Sequence, residues 1–140
     1  GLPWFNEYWG RDSFIPGSID YHTTDGTPRW VIALRDYVRY TGDRSIVAEL
    51  YLNVQASIEG ALANFTDASG YLVHADNETW MDARREPDKV AYSPRSTRAN
   101  DIQALWYEQL RAGADFAAAL GDSESATRWK PSVRRLAALR

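Results

Sequence analysis

Residues 27–65 read TPRWVIALRDYVRYTGDRSIVAELYLNVQASIEGALANF, and this stretch decides the fold class. It holds two helical patterns separated by Gly42, where a C-terminal glycine is expected. We expect Thr27 to cap the first helix and Pro28 to take its first position, because the missing proline N–H costs nothing there. Apolar residues recur at helical spacing in both halves: Trp30, Ala33, Leu34, Tyr37 and Val38, then Val47, Leu50, Val54, Ile58, Ala61 and Phe65. The stretch therefore predicts a helical hairpin.

A second hairpin is predicted near the end of the sequence. Its first helix runs from about Asn100, a candidate cap, to Leu120, and its second begins near Ser123 after Gly121. Pro131 should kink this last helix or begin a new segment. The apolar sets are Ile102, Leu105, Trp106, Gln109, Gly113 and Phe116, then Trp129, Val133, Leu136 and Leu139. Two hairpins, each with a Gly-Asp turn, predict an all-α fold of the bundle, solenoid or α/α toroid type.

The remaining residues predict loops. Residues 1–25 lack a helical period, residues 71–75 suggest a short extended piece, and residues 76–99 are polar. Long loops inside compact domains are usually functional or disordered. We therefore expect one domain over 1–140, with a loop at 1–25, hairpins at 27–66 and 100–139, and an active-site loop at 76–99.

Composition narrows the function classes. The net charge of -3 argues against a nucleic-acid binder, although Arg84, Arg85, Arg95 and Arg98 leave a local basic patch open. The absence of cysteine excludes disulfides and thiolate metal sites and favours the reducing cytoplasm. No apolar run approaches 18 residues, so we expect no membrane span. His22 and His74 form no metal motif, and we expect no cofactor.

The start of the sequence suggests a piece of a longer protein. Gly1-Leu2-Pro3-Trp4 has neither an initiator methionine nor the charged and apolar regions of a signal peptide.

Aromatic residues are unusually frequent at 13%, and several, such as Trp4, Trp9 and Trp80, lie in loop-like stretches beside polar residues. Filling the core is the ordinary explanation for any single tryptophan. Aromatic rings beside arginine and aspartate outside helices fit a sugar site better, because sugars stack on indoles while charged groups bond their hydroxyls.

Three stretches carry candidate site residues. Trp9-Gly10-Arg11-Asp12 places a fork of donors beside a carboxylate, which suits a polyhydroxylated ligand, although spacing alone favours a surface ion pair. In Glu78-Thr79-Trp80-Met81-Asp82-Ala83, apolar neighbours could raise the pKa of a carboxylic acid, as a general acid requires, but a turn cap is the alternative. Asp101 follows Ser93-Pro94-Arg95 in the first turn of a helix, where capping and substrate contact stay equally open.

Together these stretches resemble the glucosidase domain of bacterial and archaeal glycogen-debranching enzymes. The run WFNEYWGRDSF at 4–14 is similar to the opening motif of that family, and TWMDA at 79–83 is similar to its second motif. Pro94-Arg95 with DIQALWY at 101–107 resembles the third. The three motifs occur in the family's order, and the resemblance covers nearly the whole chain.

The resemblance implies an (α/α)6 toroid of six helical hairpins that hydrolyses α-1,6-linked glucose at glycogen branch stubs by an inverting mechanism. It implies that Asp82 is the general acid and that Arg11 and Asp12 bind the terminal glucose beside Trp9. Trp80, Arg95 and Asp101 would line the pocket. An α-glucan would be the partner.

The sequence also departs from the family pattern. Asp101 replaces the more common glutamate, the segment after Phe14 is short by at least one hairpin, and no residue is identifiable as the general base. Two alternatives therefore stay open: a helical module that binds glucan without turnover, and a helical scaffold that uses none of these residues. Four helices cannot close a six-hairpin toroid, so we expect exposed apolar faces and self-association.

Overall fold

The computed structural model describes residues 24–138. It contains four α-helices in the order α1 (Gly26–Thr41), α2 (Ser45–Asn64), α3 (Asn100–Ala119) and α4 (Ser123–Ala137). Strand-like pairing in the described range is limited to two isolated bridges, Thr66 with Leu72 and Arg84 with Ala91. The predicted all-α fold class is confirmed. A closed (α/α)6 toroid contains more helices than these four, so the toroid stays a prediction.

Helix α3 is the centre of the packing, because it contacts the other three helices and packs most extensively on α4. The largest fully buried apolar side chains are Trp106, Trp129, Ile58, Ile102, Leu110, Val31 and Val54. Gly113 allows the close approach: a Cβ there would lie 2.2 Å from a methyl carbon of Ile58 and 3.2 Å from the ring of Trp129. The apolar stripe predicted for α3 is thus the core stripe, with Trp106 fully buried.

The helix ends differ from the sequence prediction in two places. Asp25, not Thr27, occupies the N-cap of α1, and Pro28 falls within the first turn. The carbonyl of the fully buried Asp25 accepts the backbone N–H of Arg29 at 3.1 Å, the first helical bond, so the helix starts earlier than predicted. The Asp25 carboxylate also accepts Arg29 Nε at 3.2 Å. Asn100 is the first residue of α3, and Ala99 occupies its N-cap. The backbone N–H of Ala99 donates to the side chain of His74.

Two predicted apolar faces are also corrected. Phe65 is 58% exposed because α2 ends at Asn64, which leaves Phe65 at the C-cap, beyond the stripe. In α1, Ala33 and Tyr37 are exposed, whereas Leu34 is buried as predicted. Trp30 and Val38 are partly buried against the core, and Val31, which the prediction left out, is fully buried.

Helix α4 continues through Pro131 as one element, so no new segment begins there. Proline removes the donor for the carbonyl of Thr127, four residues earlier, but both residues are exposed and water can satisfy that carbonyl.

The Gly-Asp turns close the helices as the sequence predicts, with Gly42 at φ 73° and Gly121 at φ 81°. Asp122 caps α4 by accepting the N–H of Ser125 at 3.0 Å. Its carboxylate also accepts the Tyr51 hydroxyl at 2.6 Å and Gln55 Nε2 at 3.1 Å, both from α2. The hydrogen bond from Tyr51 is the main reason that the pKa of Asp122 falls to about 2. Burial, followed by this bond, raises the pKa of Tyr51 to about 12.

Candidate functional site

The segment between α2 and α3 carries the candidate residues Trp80, Asp82 and Arg95, and side chains fasten it to the helices. Gln103 of α3 holds the backbone of Leu72 by two hydrogen bonds, donating to its carbonyl at 2.8 Å and accepting its N–H at 3.0 Å. The N–H of Thr24 donates to the carbonyl of Glu78 at 2.6 Å. The segment therefore lies where α1 and α3 begin.

Residues 75–98 form a loop that His74 and Asp76 close at its base. The Nε2 atom of His74 accepts the N–H of Ala99 at 2.9 Å, and Nδ1 lies 2.9 Å from the carbonyl oxygen of Ala75. Asp76 Oδ1 accepts the N–H of Arg95 at 2.5 Å. These bonds join the two ends of the loop and bring residues around 80 next to the start of α3.

Three predicted site residues meet at this point. Trp80 Nε1 donates to Oδ2 of Asp101 at 2.9 Å, and Arg95 forms an ion pair with Oδ1 of the same carboxylate. The Trp80 side chain remains 50% exposed, and the carboxylate of Asp101 is partly exposed as well. We call Trp80, Arg95 and Asp101 the loop cluster. It combines an open aromatic surface with fixed donors and acceptors.

The charge state of Asp101 follows from these contacts. Partial burial alone raises the pKa of the Asp101 carboxyl, but the Trp80 hydrogen bond, the Arg95 charge and backbone N–H groups outweigh it. The pKa of Asp101 is therefore lowered below its usual value, and the group is an acceptor at neutral pH.

Asp82 lies on the same loop, two residues after Trp80, and is partly buried. Between them, Met81 donates its N–H to the hydroxyl of the fully buried Thr79 at 3.3 Å, and its sulfur contacts the Arg95 guanidinium. The predicted residues Trp9, Arg11 and Asp12 lie outside the described residues.

The residues that shape the loop were missed by sequence reasoning. Glu78 Oε2 accepts the N–H of Ala75 at 2.6 Å, a short-range contact that the spacing of three could have suggested. His74 and Gln103 reach partners 25 and 31 residues away, and no local pattern marks such contacts.

A cavity of about 310 Å³ lies beside the loop, between the start of α1 and the second half of α2. Its described walls are mainly apolar, with polar groups from Thr24, Thr27, Ser57, Glu78 and Gln109. Residues of the loop cluster do not line it. Trp80, Arg95 and Asp101 therefore form a separate, more open surface.

Residues 24–138 contain neither a metal-binding cluster nor a membrane-spanning helix. No group of three or more histidine, cysteine or acidic residues in that range could hold a metal ion. Likewise, none of the four helices in that range is long and apolar enough to cross a membrane.

Comparison with known proteins gives one match. No similar curated protein and no similar solved structure is found. The family model described as Amylo-alpha-1,6-glucosidase matches residues 17–138, which include the loop cluster, Asp82 and all four helices. A match over this much of the chain shows that the protein belongs to the amylo-alpha-1,6-glucosidase family.

Proposed function

We propose that this chain is a glycoside hydrolase domain that cleaves α-1,6-linked glucose from branch stubs of an α-glucan such as glycogen, with inversion at the anomeric carbon. The observation that carries the proposal is the loop cluster, whose Trp80 and Arg95 lie on the same loop as Asp82 and meet Asp101 of α3, in a chain of this family. We place the domain in the cytoplasm and in an (α/α)6 toroid, with 76–99 as the active-site loop.

The loop cluster supplies what recognition of a glucose ring needs. The indole of Trp80 is half-exposed, and its bond to Asp101 fixes the orientation of the ring. Apolar faces of sugars stack on such rings. Arg95 presents further N–H donors beside it, so hydroxyl groups at the edge of a stacked sugar would find charged partners.

Asp101 acts in this proposal through its neighbours. Its carboxylate engages both Trp80 and Arg95. Its lowered pKa keeps it ionised, which strengthens both contacts. Asp101 therefore orients the two sugar-contact residues.

Asp82 is the proposed general acid. It would protonate the glycosidic oxygen as the bond to the leaving glucan breaks, while a second carboxylate activates water on the opposite face of the sugar. Inverting enzymes hold the two carboxyl groups roughly 6.5–9.5 Å apart. Asp76 and Glu78 each accept a backbone N–H that shapes the loop, so we assign neither as the base. Trp9, Arg11 and Asp12 are proposed to bind the terminal glucose.

The direct test is release of glucose from a branched limit dextrin by the purified chain. Replacing Asp82 by Asn keeps the shape of the side chain and removes the acid. We expect the rate to fall by at least about 100-fold, the usual contribution of a general acid. Asp88→Asn, on the same loop in an exposed ion pair with Arg85, is the matched control and should leave the rate unchanged. An unaltered rate in Asp82→Asn would refute its assignment.

A second candidate is a module that binds glucan without hydrolysing it. It is favoured by the observation that both oxygens of Asp101 are engaged and that Trp80 presents an open ring, which is the arrangement of a binding platform. This candidate predicts that maltooligosaccharides bind without glucose release. Trp80→Ala should weaken that binding by about tenfold or more, since one stacked aromatic ring contributes on this order.

Tyr92→Ala is the control for this titration, because Tyr92 is an exposed aromatic residue of the same loop outside the loop cluster. Equal losses in both variants would indicate nonspecific adhesion to aromatic surface and would exclude Trp80 as a defined sugar contact.

A further inference from the structure

His74 is buried at the base of the loop and makes three hydrogen bonds with the backbone. Its side chain bonds Ala75 and Ala99, and its own N–H donates to the carbonyl of Thr97 at 3.1 Å. Only 6% of His74 is exposed, and Ala99 is also buried. One ring therefore connects the first residue of the loop with the residue just after its last.

The two partners fix the protonation of the imidazole. The Ala99 N–H can only donate, so Nε2 must present a lone pair. The Ala75 carbonyl can only accept, so Nδ1 must carry the hydrogen. The neutral ring with its hydrogen on Nδ1 is the one form that satisfies both contacts, and a charged ring would point Nε2–H at the Ala99 donor.

The same contact satisfies a buried donor at the start of α3. Ala99 occupies the N-cap of α3 and makes no side-chain cap hydrogen bond. Its own backbone N–H donates to His74 Nε2. A buried donor left without a partner is costly, so an apolar replacement of His74 should release this end of the loop.

We propose that His74 is a positioning residue that clamps residues 75–98 onto the first turn of α3 through its neutral, Nδ1-protonated ring. Asp101 lies two residues beyond Ala99. The hydrogen bond from the Arg95 N–H to Asp76 is a second link between the two ends of the loop, next to the His74 contact. The clamp thereby sets where Arg95 and Asp101 stand relative to Trp80. Its effect on glucan binding rests on the proposed function, whereas the clamp itself does not.

The first experiment observes the ring directly by ¹⁵N NMR of labelled protein at neutral pH. The chain has two histidines, so the spectrum of His74→Gln assigns the His74 signals by their absence. We expect a protonated Nδ1 and an unprotonated Nε2. A ring that is charged, or protonated on Nε2, would overturn the proposal.

The second experiment compares His74→Gln with His74→Leu by hydrogen exchange. The Gln side chain keeps an acceptor for the Ala99 N–H, and Leu has similar bulk without one. We expect amides of residues 75–98 and of the first turn of α3 to exchange roughly tenfold faster in His74→Leu. In His74→Gln we expect rates within about threefold of the wild type, with α2 and α4 unchanged in both. Equal exchange in the two variants would overturn the clamp.

Binding of maltooligosaccharides then tests the link to function. We expect affinity to fall in His74→Leu and to be recovered in His74→Gln, in parallel with loop exchange. Absence of binding in the wild type would count against the proposed function alone, because the NMR and exchange results decide the clamp independently. Faster loop exchange with unchanged affinity would refute the positioning role.

Discussion

Each end of α3 lies near an aspartate that accepts a hydrogen bond from an aromatic side chain, yet the two places differ in what surrounds them. Near its start, Asp101 accepts from the indole of Trp80. Beyond its end, Asp122 accepts from the hydroxyl of Tyr51. The donor at the start comes from a loop and is half-exposed, whereas the donor at the end comes from α2 and is buried. The same type of hydrogen bond, from an aromatic side chain to an aspartate, therefore lies in an exposed surface at one end of α3 and in a helix junction at the other.

The neighbouring groups explain the difference. Asp122 also caps α4 and accepts from Gln55, so its carboxylate joins two helices, α2 and α4. Asp101 has Arg95 as its second partner, and both contacts leave the face of Trp80 open. A charged pair with an open aromatic ring is suited to a ligand, while a carboxylate enclosed by helix-borne donors is suited to packing. We infer that stability concentrates at the α4 end and recognition at the loop end.

The largest expected difference between the two ends of α3 is in the free energy of unfolding when one tryptophan at each end is replaced. Trp129 of α4 is fully buried, packs near Gly113 and donates to Glu59 at 2.8 Å. Trp129→Ala should reduce the free energy of unfolding by about 3–5 kcal/mol, the usual cost of removing a large core aromatic. Trp80→Ala should cost less than about 1 kcal/mol, because half of that ring is already in water. Urea unfolding followed by far-UV circular dichroism measures both.

The opposite ranking applies to glucan binding, where Trp80→Ala should be the damaging change. If Trp80→Ala destabilised the chain as much as Trp129→Ala, the loop end would be part of the core. The division between a stabilising end and a recognising end would then be wrong.

Much of the helical framework follows from the sequence because helix formation depends on contacts three and four residues apart. Ile102, Trp106, Gln109 and Phe116 repeat at that spacing, and all of them lie in the buried face of α3. Gly42 and Gly121 mark turns for an equally local reason, since a positive φ is easiest for glycine. Elements and turns of this kind are recoverable from one sequence.

The exceptions depend on partners that are distant in the chain. The N-cap residue of α3, Ala99, donates its backbone N–H to His74, and the sequence around Asn100 gives no sign of this contact. The meeting of Trp80 with Asp101 was expected only through resemblance to a family, because the spacing of 21 residues has no structural period. Contacts made by loops, unlike helical faces, are set by tertiary packing.

The smallest expected difference between the two ends of α3 is in how the free energy of unfolding depends on pH. Asp122 has a donor that itself titrates, the Tyr51 hydroxyl, whereas Asp101 accepts from an indole. The pKa of Asp122 in the folded chain is about 2, below the usual 3.8, so its contribution to stability is present above about pH 4 and is lost as the pH falls through 2. The pKa of Tyr51 is about 12, above the usual 10, so its contribution is present below pH 10 and is lost as the pH rises through 12.

Tyr51→Phe removes the hydroxyl, and with it the Tyr51 contribution and the largest part of the Asp122 contribution, while the ring stays in place. We expect this variant to be less stable than the wild type between about pH 4 and 10, with the difference narrowing toward pH 2 and toward pH 12.

Trp80→Phe is the matched change at the other end of α3. It affects Asp101, a carboxyl whose pKa is also lowered, so the difference in stability between this variant and the wild type should narrow only on the acid side. That difference should be smaller throughout, because the Trp80 contact is exposed to water and ions. Unfolding free energies measured from pH 2 to 12 test this, and parallel curves for Tyr51→Phe and the wild type would show that the hydrogen bond between Tyr51 and Asp122 does not shift their pKa values.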